Sequence, residues 1–179
     1  MLNELLNYNA DFVNAEKYKD YAASKYPRKK TAILTCMDTR LTELLPAALG
    51  LKNGDVKMIK NAGAVISSPF GSEMRSLVIA IYNLQVEHIL VIGHTDCGGQ
   101  NLDSKVLIQK MKSRGVAEDQ LALLKNAGID LENWLSGFKD VQESVSETVN
   151  KIRQHPLIPE DVDVYGLVID PVTGKVVRV

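Results

Sequence analysis

Two short apolar runs constrain this chain more than anything else in it. Thr31–Cys36 reads Thr-Ala-Ile-Leu-Thr-Cys, and the run from His88 to Gly93 is unbroken after its histidine. A continuous run of that length, without alternation, fits a central strand of a parallel sheet covered on both faces. Segments of helical period separate the strands. Leu41, Leu44, Leu45 and Ala48 recur at helical spacing between Arg40 and Gly50. From Gly71 to Val86, Met74, Leu77, Val78, Ile81, Tyr82 and Leu84 form a broad apolar face, which predicts a largely buried helix.

The remaining elements complete the alternation. Asn53-Gly-Asp55 is a turn signal ahead of a second strand, Val56–Asn61. A helix is predicted from Asn14 to Tyr26, and helical structure through residues 101–127. One longer helix is predicted from Leu131 to His155, with Trp134, Phe138, Val141, Val145, Val149 and Ile152 three or four apart; Trp134 reads as core or subunit contact. Asp163–Ile169 is a fourth strand. Pro171–Gly174 then turns into a fifth, Lys175–Val179, short enough to fold back as a hairpin. The expected fold is α/β, a mostly parallel four-stranded sheet with helices on both faces and a C-terminal antiparallel edge strand. A single domain is expected over residues 1–179, with a helical arm at 1–27 and the α/β core at 28–179.

Composition narrows the class of function. A formal net charge of −1, with both signs mixed along the chain, gives no electrostatic case for nucleic acid or an anionic membrane as partner. No stretch approaches the roughly 20 apolar residues that span a bilayer. The start of the sequence lacks a basic segment followed by an apolar one, so a cytoplasmic, reducing location is expected.

The chain has two cysteines, and each closes or opens a polar motif at a strand end. Cys36 opens Cys36-Met-Asp38-Thr-Arg40, and Cys97 closes His94-Thr-Asp-Cys97. Two thiols, an imidazole and a carboxylate make a full tetrahedral zinc ligand set. Sites in open α/β sheets lie at the carboxyl ends of the strands, where the strand order reverses. If the first strand lies between the second and third, the two motifs face each other there. Steps of two would point Cys36, Asp38 and Arg40 the same way along an extended backbone, and three positions suit a tight turn from His94 to Cys97.

Each residue alone has an ordinary explanation. A buried cysteine is usually a small apolar side chain, and Asp38 could cap a helix with Arg40 as its surface partner. Their joint occurrence at two strand ends points to a metal site instead. His88 and His155 have no such company and read as structural or exposed. Asp96 reads as a turn-capping acid rather than a ligand.

Cys36-x-Asp38-x-Arg40 together with His94-x-x-Cys97-Gly98 resembles the β-class carbonic anhydrases of the compact prokaryotic type. Lys60-Asn61-Ala62-Gly63 is similar to that family's Arg-Asn-Ala-Gly segment, with Lys60 in place of arginine. The likeness is good over residues 28–100 and the terminal strands, and loose over 101–160. It implies one Zn2+ per subunit on Cys36, His94 and Cys97, with Asp38 as a fourth ligand in a closed form and Arg40 pulling Asp38 off the metal.

The activity it implies is the reversible hydration of carbon dioxide to bicarbonate by a metal-bound hydroxide, with Asp38 and Arg40 as catalytic residues. Two thiolate ligands should place the best working pH on the mildly alkaline side. Backbone N–H groups at Gly63 and Gly98 are candidate substrate contacts. The resemblance also implies a homodimer or a higher assembly, which the apolar surface of the long helices favours. Two alternatives are a carbonyl sulfide or carbon disulfide hydrolase on the same scaffold, and a zinc-binding regulatory protein without turnover.

Overall fold

Thr31–Cys36 forms β1, and all six of its residues are buried. The computed structural model describes residues 1–179 and places β1 inside a five-stranded sheet of order β2-β1-β3-β4-β5. The other strands are β2 (Val56–Asn61), β3 (His88–His94), β4 (Asp163–Ile169) and β5 (Val176–Arg178). β1 to β4 run parallel, and β5 pairs antiparallel with β4 at the edge. β1 thus has β2 on one side and β3 on the other, so the strand order reverses between β1 and β3, as the motif placement requires.

The helices are α1 (Leu2–Asn14), α2 (Leu41–Ala48), α3 (Ser72–Leu84), α4 (Ser104–Ser113), α5 (Glu118–Asn126), α6 (Leu131–Trp134) and α7 (Val141–Arg153). Strand alternation decides which of them covers which face. Ala32, Leu34, Ile89, Val91, Val164 and Val168 pack with Leu77 of α3 and with Val145, Val149 and Ile152 of α7. Ile33, Ile92 and Ile169 point the other way and pack with Leu41 and Leu45 of α2. Each fully buried Leu or Ile contributes about 1.5–3 kcal/mol on transfer from water. Gly93 lets α7 lie close to β3, since a Cβ there would come within 2.7 Å of Val145 and 2.9 Å of Val141. No helix is long and apolar enough to cross a membrane.

Three helical expectations need correction. The helix expected at Asn14–Tyr26 lies earlier, at Leu2–Asn14, because Glu16 takes a left-handed backbone (φ 54°) and ends it; only a short 3-10 turn, Lys17–Tyr21, follows. The helix expected from Leu131 to His155 is broken between α6 and α7. There Asn101 N–H donates to the Phe138 carbonyl (2.8 Å) and Phe138 N–H to that of Gly99 (3.2 Å), which pins an extended segment. Trp134 is exposed and not part of the core. The apolar face of α3 is buried only at Met74, Leu77 and Ala80, while Tyr82 and Ile79 reach solvent.

Asp55 fastens the entry to β2 onto the entry to β1. Its carboxylate accepts the Lys52 N–H (2.8 Å) and the Arg28 Nε–H (2.9 Å). The Lys52 N–H first, then Arg28, holds its pKa below the usual carboxylate range. A depressed pKa contributes stability that is present above the unfolded value, about 3.9, and is lost as pH falls through the folded value. Asp55→Asn is therefore expected to lower the Tm at neutral pH. The gap from the parent protein should narrow as the pH falls below about 3.9 and go on narrowing toward the lower folded value. Thermal unfolding across that range checks it; a gap that persists in acid would refute the ionic origin.

Candidate metal centre

The last residue of β1, the last residue of β3 and the turn after β3 converge on one point. Cys36, His94 and Cys97 are buried there, with Sγ, imidazole nitrogen and Sγ all within 4.8 Å of one another. The two sulfurs are 3.8 Å apart, and both thiols are free. Two sulfurs at ~2.3 Å from one zinc ion in tetrahedral geometry would stand about 3.8 Å apart.

His94 supplies the sharper test of fit. Its Nδ1–H donates to the Thr95 carbonyl at 2.8 Å, which leaves Nε2 as a bare lone pair. That Nε2 is buried and meets no hydrogen-bond donor. A buried, unpaired polar atom costs about 1–3 kcal/mol, and a metal ion is the partner this one suits. A metal-bound histidine commonly donates its other ring N–H to a carbonyl, as here. Two thiolates and one imidazole are soft-to-borderline donors that favour zinc over magnesium or calcium.

The sulfurs do not share charge equally. The Cys36 thiol is lowered to about 4, chiefly by the hydrogen bond with Cys97, with His94 and the N–H groups of Gly63 and Asp38 adding to it against the cost of burial. The same contact pushes Cys97 up, because a second thiolate beside the first would be repelled, and burial adds to this. Burial pushes His94 down, but Cys36, the Thr95 carbonyl and Asp38 together outweigh it, so its net shift is upward. A metal ion entering the cluster must therefore displace the Cys97 proton.

Asp38 and Arg40 stand at the rim. The expected extended backbone is instead a turn, with Leu41 N–H donating to the Asp38 carbonyl (3.2 Å), and this fold-back brings the two side chains together. The Arg40 fork donates to Asp38 through Nε–H (3.0 Å to Oδ1) and Nη2–H (2.8 Å to Oδ2), and its main-chain N–H adds a third bond of 2.9 Å. Those side-chain bonds are the main reason the Asp38 carboxyl is lowered to about 2. Asp38 Oδ2 lies 3.7 Å from His94 Nε2, beyond hydrogen-bond reach but next to the metal position.

Asp96 carries more than its expected capping role. It accepts Arg40 Nη1–H on Oδ2 and Nη2–H on its carbonyl, both at 2.8 Å. Phe138, expected inside a helix, instead lies against Gly63 and Gly99 beside the cluster; no local signal in the sequence marks either contact. The Gly63 N–H helps to lower the Cys36 thiol, and the Gly98 N–H has no protein acceptor. His88 pairs with Asp163 (3.1 Å) and His155 accepts the Leu157 N–H (3.2 Å); neither joins the cluster.

The chain matches known proteins over nearly its whole length. A carbonic anhydrase family model covers residues 31–176. A Bacillus subtilis protein named "Putative carbonic anhydrase YvdA" is 55% identical over 174 residues, 97% of this chain and 88% of the relative. The β-carbonic anhydrase isoform I of Trichomonas vaginalis superposes with a TM-score of 0.89 at 34% identity, over 99% of this chain and 96% of that one. A carbon disulfide hydrolase of Acidithiobacillus thiooxidans is 30% identical over 151 residues, 79% of this chain and 73% of the relative.

Proposed function

The chain belongs to the β-carbonic anhydrase family, and from that premise we propose that Cys36, His94 and Cys97 hold one zinc ion per subunit in an enzyme that hydrates carbon dioxide reversibly to bicarbonate. The observation that carries this reading is the bare, buried His94 Nε2 beside two thiols, with an arginine-held carboxylate at the rim. When bound, zinc supplies a Lewis acid that makes a strong nucleophile available from water near neutral pH.

The chain's own residues then divide the work. Asp38, ionised and acceptor-only, takes the hydrogen bond of the attacking water and so aims that oxygen's lone pair at the substrate carbon. Arg40 keeps Asp38 in that role and off the metal position; released, Asp38 would be available as a fourth ligand to a bound zinc. The Gly98 N–H, which has no protein acceptor, is available to a developing negative oxygen. A reducing cytoplasm suits the two free thiols.

Metal analysis and stopped-flow carbon dioxide hydration on the purified protein test the reading together. About one zinc per chain and hydration well above buffer are expected. Stoichiometric zinc without hydration would leave a binding protein. Turnover of carbon disulfide in place of carbon dioxide would favour the hydrolase reading that the Acidithiobacillus relative brings in.

The partner we propose is a second copy of the chain. Leu2, Leu5, Leu6, Phe12 and Val13 line one face of α1, yet no α1 residue is buried and its main packing is on the 3-10 turn that follows it. An isolated helix of 13 residues is marginal in water, so α1 needs a cover. A symmetric copy offers the exposed Ile79 and Tyr82 of α3. Leu5→Lys with Leu6→Lys is expected to convert the dimer to monomer in sedimentation. A dimer that survives both charges would place the interface elsewhere.

A further inference from the structure

Arg40 is held from two sides, and only one of them is Asp38. Its Nε–H and one Nη2–H form the fork on Asp38. Its Nη1–H and the other Nη2–H go to the carboxylate and the carbonyl of Asp96. Four of the five guanidinium hydrogens are then committed, and the two acids do not compete for the same ones. Asp96 lies 56 residues along the chain, in the turn that delivers Cys97. Arg40 thus bridges the loop after β1 to the loop after β3.

The backbone at Asp96 is itself unusual. It takes a left-handed conformation (φ 53°), which among residues other than glycine is best tolerated by aspartate and asparagine. Its side chain is 85% exposed, so burial does not explain the conformation. The conformation does serve to aim both acceptors at Arg40.

We propose that Asp96 is a positioning residue that anchors Arg40, and through it keeps Asp38 turned away from the Cys36–His94–Cys97 cluster. The inference rests on the reading of Asp38 and Arg40 given above. Without the anchor, Arg40 is held by Asp38 alone and is free to swing with it. Asp38 Oδ2, already 3.7 Å from His94 Nε2, then spends more time on the metal.

The test uses Asp96→Asn, since asparagine tolerates the left-handed backbone and keeps the carbonyl. Three quantities are read on the zinc- or cobalt-loaded protein: the rate of zinc transfer to a chelator, the visible spectrum of the cobalt form, and kcat/KM for carbon dioxide. Asp96→Asn is expected to slow zinc transfer and lower kcat/KM, each about fivefold. It should also move the cobalt spectrum toward that of Arg40→Ala. In an Asp38→Asn background the effect on zinc transfer and the spectrum should vanish, which a merely structural role would not predict. Asp96→Glu should restore part of the parent behaviour.

If Arg40→Ala shifts the spectrum and Asp96→Asn does not, the anchor is refuted while the Asp38–Arg40 reading stands. If neither shifts it, both fall.

Discussion

Cys97→Ala is expected to strip the protein of zinc and bring carbon dioxide hydration down to background. Even the loss of an outer hydrogen-bond partner of a metal ligand costs about 10–100-fold in affinity or activity. Losing one of three protein ligands outright should cost more. The substitution removes one buried sulfur and adds no bulk, so the fold should lose only about 1 kcal/mol. Metal-free parent and variant should therefore melt at similar temperatures, while added zinc raises the Tm of the parent alone. Metal analysis after dialysis, with thermal scans with and without zinc, separates the outcomes. Retention of a full equivalent of zinc by Cys97→Ala would show that the metal sits elsewhere.

Arg40→Ala should have the next largest effect, with the opposite metal signature: zinc stays and turnover falls. Arg40 is not in the core, and its removal should leave the fold intact. It does remove two charge-assisted hydrogen bonds from Asp38, each worth about 1.5–3 kcal/mol where such bonds are well formed. A loss of roughly 10–100-fold in kcat/KM at neutral pH is expected. The cause is position rather than charge. Arg40 holds the Asp38 carboxyl at about 2, and without it the value returns toward the ordinary ~3.9. Asp38 is ionised at neutral pH in either case, so what changes is where the carboxylate points. Arg40→Lys should recover only part of the activity, because a lysine cannot make the planar fork. Full activity in Arg40→Ala would remove Asp38's switchable role.

The strands and the three residues of the Cys36–His94–Cys97 cluster are legible in the sequence because each is a local pattern. Thr31–Cys36 and Asp163–Ile169 are bounded by turn residues and polar breaks, whereas the order of the strands enters the sequence reading only as a condition and is given by their pairing in the sheet. What escapes the sequence depends on contacts between distant segments. The break between α6 and α7 is made by Phe138 pairing with Gly99 and Asn101, although the helical spacing runs straight through it. The partnership of Asp96 with Arg40 joins two loops far apart in the chain. The early end of α1 turns on one left-handed residue, Glu16, whose side chain announces nothing of the kind.

The sheet's strand order also sets how the site yields when the protein breathes. Cys36 and His94 end the two innermost-paired strands, β1 and β3, whose amides should exchange with solvent deuterium only on global opening. Asp38, Arg40 and Asp96 sit on loops just beyond those ends, where exchange needs only local fluctuation. Cys36 and His94 therefore share the lifetime of the whole fold, while the residues that hold Asp38 aside belong to its fast, low-energy motions. Slow opening at Cys36 and quick movement of the Asp38 carboxylate come from residues only two positions apart.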